Sequence, residues 1–154
     1  MQIDIVGGTS RQKELIKDML EYSGKHLLSS RMYNRISIYV TINKIKDKNG
    51  DCCFSDDNRR PREFSISLNR ELRQRDLLET VAHEMVHIKQ WATSQLIDYI
   101  SDTNKVKYDG KIYYKDRIEY WDYPWEIEAY GREVGIFIRW AKKRGEWGKN
   151  WTMR

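Results

Sequence analysis

Polar and apolar positions change period several times along this chain, and each change marks an element. Leu15, Ile16, Met19, Leu20 and Leu27 recur at helical intervals, so residues 10–28 read as an amphipathic helix. Thr9 and Gln12 stand at capping-box spacing at its start. Before it, Ile3 to Val6 is a short apolar run closed by Gly7-Gly8. Ile36, Ile38, Val40 and Ile42 then alternate with Arg35, Ser37, Tyr39 and Thr41, the period of a half-buried strand. Asn49-Gly50 predicts a hairpin turn, which puts Cys53-Phe54 on a returning strand. Phe64, Ile66 and Leu68 alternate with Glu63, Ser65, Ser67 and Asn69, giving another strand with one polar face.

A second helix follows from about Asp76 to Thr93, with Leu77, Leu78, Val81, Ala82, Met85, Ile88 and Trp91 as a broad apolar surface. Residues 94–123 are less regular, although Val106 to Tyr114 reads as a small hairpin turning at Asp109-Gly110. Pro124 suits the first turn of a last helix, which runs to about Arg144 and buries Ile127, Val134, Phe137, Ile138 and Ala141. No repeat, low-complexity tract or linker interrupts the 154 residues, so one domain is expected over 1–154. The predicted class is α+β: a small, mostly antiparallel sheet packed on an N-terminal helix, with a central and a C-terminal helix.

With 33% charged and 12% aromatic residues and two prolines, the composition excludes disordered and fibrous classes. No apolar run approaches the roughly 18 residues of a membrane span, and the start turns polar after Val6 without the basic lead of an export signal. The expected compartment is the cytoplasm. Cys52 and Cys53 are adjacent and cannot staple distant parts of a fold. They read as small buried or half-buried strand residues in a reducing environment. The formal charge of +5 is unevenly placed: residues 139–154 hold six basic groups and one acidic, and the remainder is neutral. Lys142, Lys143 and Arg144 before Gly145 fit a helix C-terminus better than a nucleic-acid patch.

His83-Glu84-x-x-His87 changes the picture. On a helix, residues four apart share a face, so both imidazoles can reach one metal ion. Glu84 lies a quarter turn away, where its carboxylate can meet a metal-activated water. A catalytic zinc takes a third protein ligand and keeps one position open. The remaining histidine, His26, is far upstream, so the third ligand should be a carboxylate. Glu126 in the first turn of the last helix is best placed, with Glu128 the alternative. Those two lie about 200° apart around the helix and cannot both face the metal. Glu133, two turns beyond Glu126, is suited to hold a ligating histidine by its free N–H.

His83-Glu84-x-x-His87 followed by Glu126-x-x-Ala129 resembles the gluzincin group of zinc metallopeptidases, in which a downstream helix brings a glutamate to the metal. Ile66-Ser-Leu68-Asn69, with Thr80 three residues before His83, is similar to SprT-like metallopeptidases. Tyr120-Trp-x-x-Pro124-Trp-Glu-x-Glu-Ala129-Tyr together with the HExxH motif resembles small metallopeptidase-like proteins of bacteriophages. The resemblance covers residues 62–138. The chain departs from the SprT-like pattern in having no third histidine downstream, and places Tyr130 where gluzincins often carry aspartate. The resemblance implies a minimal zincin-like domain, a Zn²⁺ ion on His83, His87 and Glu126, and peptide hydrolysis with Glu84 as general base. It also implies action in the cytoplasm of an infected cell, and a peptide or protein substrate bound as an added strand on an edge strand, here Phe64–Leu68.

Tyr113, Tyr114, Tyr120, Tyr123 and Arg117 are all open as oxyanion donors. Arg59, Arg60, Arg62, Arg70, Arg73 and Arg75 form an arginine-rich segment, read as a solvated surface paired with Asp51, Asp56 and Asp57 or as a contact for acidic or nucleic-acid-bound substrates. The alternative function is a non-catalytic zinc-stabilised module that binds nucleic acid or protein through its basic segments. The oligomeric state stays open.

Overall fold

The structure is a computed structural model that describes residues 1–56 and 59–153. Its elements are β1 (Gln2–Gly7), α1 (Ser10–Leu27), α2 (Ser30–Tyr33), β2 (Ser37–Asn43), β3 (Gly50–Phe54), β4 (Glu63–Asn69), α3 (Gln74–Ala92), β5 (Leu96–Asp98), β6 (Lys105–Tyr108), β7 (Lys111–Tyr114) and α4 (Pro124–Lys143). The class is α+β, with four helices against a small mixed sheet. Among the described residues no helix is long and apolar enough to cross a membrane.

The four-stranded sheet has the order β1-β2-β4-β3. β1 runs parallel to β2 and β2 parallel to β4, and only β3 is antiparallel to its neighbour. The expectation of a mostly antiparallel sheet therefore fails for this layer. Ile38, Val40 and Ile42 of β2 and Phe64, Ile66 and Leu68 of β4 are all buried, whereas Tyr39 is exposed. Alternation in sequence reports that one face is covered, and it is blind to the direction of the neighbouring strand. The Asn49-Gly50 hairpin is corrected by the same pairing: Gly50 is already in β3, and β3 pairs with β4 rather than β2. β4 is thus inserted between β2 and β3, and Phe64–Leu68 is an interior strand, not an edge.

Helices α1 and α3 cover the apolar face, and α4 packs on α3 from the other side. The capping box of α1 forms as its spacing implied: Thr9 Oγ1 accepts from Gln12 N–H at 3.2 Å, and Gln12 Oε1 accepts from Thr9 N–H at 2.9 Å. The fully buried Leu15, Ile16, Val81, Phe137 and Trp140 belong to one core, each large aliphatic contributing about 1.5–3 kcal/mol by its burial. Ile127, expected inside, is 55% exposed. The buried stripe of α4 starts from Trp125 and Ala129 instead, and a residue two positions after Trp125 points about 200° away from it.

Residues 96–114 form a second, three-stranded antiparallel sheet, β5-β6-β7. Its β6–β7 turn is the expected one, with Asp109 at φ 47° and Gly110 at φ 83°. Leu96, Val106, Tyr108 and Trp125 make a small satellite core that anchors the start of α4. The end of α4 closes in a glycine cap: Gly145 has φ 67°, its N–H reaches Lys142 O at 3.0 Å, and Glu146 N–H reaches Ala141 O at 2.9 Å.

Candidate metal centre

α3 carries His83 and His87 on one face, and α4, entering at Pro124, brings Glu126 to the same place. The two Nε2 atoms are 3.0 Å apart. Glu126 Oε2 lies 3.4 Å from His83 Nε2, and Glu126 Oε1 lies 3.5 Å from His87 Nε2. A tetrahedral ion with bonds of about 2.0–2.2 Å needs ligand atoms about 3.3–3.6 Å apart. The two short contacts of Glu126 use different oxygens of its carboxylate, and with one ligand atom from each residue the three atoms lie within 4.8 Å of one another, so this triangle could hold a metal ion. Both histidines are buried, with Glu126 half-buried.

The other nitrogen of each histidine is spoken for. His83 Nδ1 is 2.9 Å from Glu133 Oε2, the contact foreseen from the two-turn spacing. His87 Nδ1 is 2.9 Å from Gln90 Oε1. Gln90 Nε2 donates to Trp125 O at 2.9 Å and to Glu128 Oε2 at 3.0 Å. A carbonyl can only accept, so the amide nitrogen of Gln90 must face Trp125 and its oxygen must face His87. His87 Nδ1–H therefore donates to Gln90 Oε1, which turns Nε2 toward His83 and Glu126.

Glu128 does not enter the triangle. It accepts from Lys89 Nζ at 2.9 Å, Tyr108 OH at 2.9 Å and Gln95 Nε2 at 3.1 Å, and pairs with Arg132 at 2.9 Å. Burial works against its charge, but the hydrogen bonds from Gln90, Lys89 and Tyr108 prevail and pull its pKa down to about 2. Its work is to hold Gln90, and through it His87.

The charges of the site suit a cation. Burial opposes a proton on His83, yet the Glu126 and Glu133 carboxylates raise its pKa to about 9. Burial likewise opposes the Glu126 charge, and the two histidines and Tyr120 outweigh it, leaving the carboxyl well below the usual range. A divalent ion would take the place of that proton.

Glu84 is buried beside the triangle, and burial raises its pKa against the pull of His87 and His83. Its Oε1 lies against β3, 3.3 Å from where a Cβ on Gly50 would stand. A cleft of about 750 Å³ opens here, and Gly50, Asp51, Cys52, Glu84, Tyr120 and Trp121 are among its lining residues.

No family model, curated protein or solved structure matches this chain.

Of the proposed oxyanion donors, only Tyr120 lines the cleft, and its hydroxyl donates to Glu126 Oε2 at 2.9 Å. Tyr123 OH donates to Lys115 O, Tyr113 packs on Trp125, and Arg117 lies over Tyr114. One residue at the site, Gln90, has no part in the motifs. Gln90 sits three residues after His87, on the same face, and that spacing was its signal. Tyr130, the residue that stands where gluzincins often carry aspartate, packs its ring 4.6 Å from that of His83. Cys52 is half-buried as expected, but Cys53 is exposed.

The arginine-rich segment divides. Arg75 is buried, pairs with Glu79 at 2.8 Å, and donates to Thr152 O at 2.8 Å. Arg73 pairs with Asp76. Asp51 pairs with Lys48 rather than with an arginine, Asp56 accepts from the backbone N–H of Arg62, and Asp57 lies outside the described residues. Arg154 of the basic end does too.

Proposed function

We propose that this chain is a zinc-dependent metallopeptidase that uses Glu84 as its general base. One observation carries the reading: a buried carboxylate, Glu84, adjoins a triangle of two imidazoles and a carboxylate at the floor of an open cleft bordered by a free strand edge. His83, His87 and Glu126 are the ligands, a nitrogen-and-carboxylate set of the kind zinc takes at catalytic sites. Bound zinc supplies a Lewis acid that acidifies water and polarises a carbonyl. Glu84 takes the proton of the attacking water and passes it to the leaving amine. Glu133, Gln90 and Glu128 hold the two imidazoles in the tautomer that binding needs. Tyr120 steadies Glu126.

The substrate on this reading is an extended peptide lying along β3, the free edge next to α3, in place of Phe64–Leu68. Gly50, Asp51 and Cys52 of that edge line the cleft. The unpaired, exposed Cys53 suits a reducing compartment, and we place the activity in the cytoplasm.

Glu84→Gln separates this reading from a zinc-stabilised binding module. The variant is expected to keep one equivalent of zinc by elemental analysis and to lose cleavage of a denatured protein substrate by at least about a hundredfold. Cleavage that survives in Glu84→Gln, or a wild-type chain that binds zinc and cuts no peptide, sinks the proposal.

A further inference from the structure

A second cavity, of about 420 Å³, lies at the C-terminal end of α3 and shares no lining residue with the metal cleft. Arg31, Arg35, Arg60 and Arg62 line it together with Ala92 and Thr93. Three separate pieces of chain bring the arginines together: α2, the turn into β2, and the segment leading into β4. The frame is pinned. Arg35 N–H donates to Met32 O at 2.9 Å, and Ser37 N–H donates to Arg62 O at 2.8 Å. Arg60 Nε donates to Ser94 Oγ, and Ser94 Oγ in turn to Arg59 O, both at 3.3 Å.

Four like charges line one cavity, Arg31, Arg35 and Arg60 exposed and Arg62 half-buried, and among the described residues Asp56 favours the charge on Arg62. The arginines that form ion pairs among the described residues are Arg11, Arg73, Arg75, Arg132 and Arg144, none of these four. The Asp56 carboxylate accepts from the backbone N–H groups of Arg62 and Glu63, at 2.9 and 3.4 Å. Burial, and then the neighbouring Arg60, disfavour the charge on Arg62, with Asp56 opposing and Arg35 adding to the crowding. The carbonyl end of α3 attracts cations, and Arg62 answers it by donating to Ala92 O at 2.9 Å. That explains one arginine of the four. Arg60 turns to Ser94 instead, and neither Arg31 nor Arg35 donates a side-chain hydrogen bond to any described residue.

We propose that this cavity binds a phosphate group. Guanidinium forks match phosphate oxygens two at a time, and one phosphate, with up to about two negative charges, would offset part of the mutual repulsion of the four side chains. The arginines converge on a single cavity instead of following a stripe, which favours a free phosphate or a terminal phosphomonoester over a long phosphodiester track. The proposal is independent of the metallopeptidase reading.

Calorimetric titration of pyrophosphate into the full chain, with chloride matched for ionic strength, tests it. One-to-one binding is expected, weakened about tenfold or more in Arg35→Ala/Arg60→Ala. Arg62 is left in place because it caps α3. Binding is expected to persist in His83→Ala/His87→Ala, so that an anion held by metal at the first cleft is distinguished. An oligothymidylate that binds only when it carries a 5′-phosphate identifies a chain end as the source of the group. Pyrophosphate binding with neither oligomer binding identifies a small anion. The proposal is overturned by absent pyrophosphate binding, by binding that survives the double arginine substitution, by binding lost with the histidines, or by an oligomer that binds equally well without its end phosphate.

Discussion

The direction in which His87 turns its Nε2 depends on Gln90, whose amide orientation is dictated in turn by the carbonyl of Trp125 and the carboxylate of Glu128. Gln90→Leu removes the acceptor for His87 Nδ1–H and frees the ring to rotate. Metal affinity, measured by competition with a chromophoric chelator, should fall about 10- to 100-fold. Glu133→Leu should do the same through His83. Unchanged affinity in both variants would mean that these contacts do not orient the ligands. At this scale the site was largely legible. His83, Glu84 and His87 are fixed by helical spacing alone, and Glu126 followed from the need for a third ligand near the start of α4. The choice between Glu126 and Glu128 was open in the sequence, and the partners that hold Glu128 away from the histidines were hidden because Tyr108, Lys89 and Gln95 come from β6, α3 and the turn between α3 and β5. No local pattern couples such positions.

Elements meet where Gly50 of β3 faces α3. A Cβ there would stand 2.6 Å from Thr80 Cγ2 and 3.2 Å from the backbone oxygen of Ser67. The missing side chain is what lets the free strand edge approach Glu84. Gly50→Ala should push β3 outward and destabilise the fold by about 1–3 kcal/mol in chemical denaturation. Thr80→Ser removes Cγ2 while keeping the hydroxyl that donates to Asp76 O at 2.8 Å. The double variant should therefore recover part of the loss, and strict additivity of the two substitutions would refute the contact. The three long helices were readable almost to their ends because an apolar period of 3.6 and a cap are both local, whereas the four-residue α2 is too short to show a period. Strand order was not, since β4 returns between β2 and β3 after β3 is made, and Phe64–Leu68 looks the same in sequence whether it is an edge or an interior strand.

Over the whole molecule, the net charge of +5 divides into parts with separate employment. Arg144 at the basic end pairs with Asp18 at 2.7 Å and Glu14 at 3.1 Å of α1, Lys149 pairs with Glu146, and Lys143 lies over Tyr22. That end ties α4 and the C-terminal turn to α1, a contact that the capping pattern at Gly145 does not itself foretell. Thr152 O completes the buried Arg75–Glu79 pair of α3. The His83, His87 and Glu126 group spans the same joint, because two of its residues are on α3 and the third is on α4. An ion bound by all three residues would join the two helices that form the largest helix contact of the core. Zinc held at about a hundredfold above its dissociation constant should then add about 2.7 kcal/mol to stability. For a chain of this length that is a rise of about 5–10 °C in Tm by calorimetry. A chelator should reverse it, and Glu126→Ala should abolish it while leaving the zinc-free Tm near that of the wild-type chain. A zinc-induced rise that persists in Glu126→Ala would assign the ion to α3 alone and remove α4 from the site.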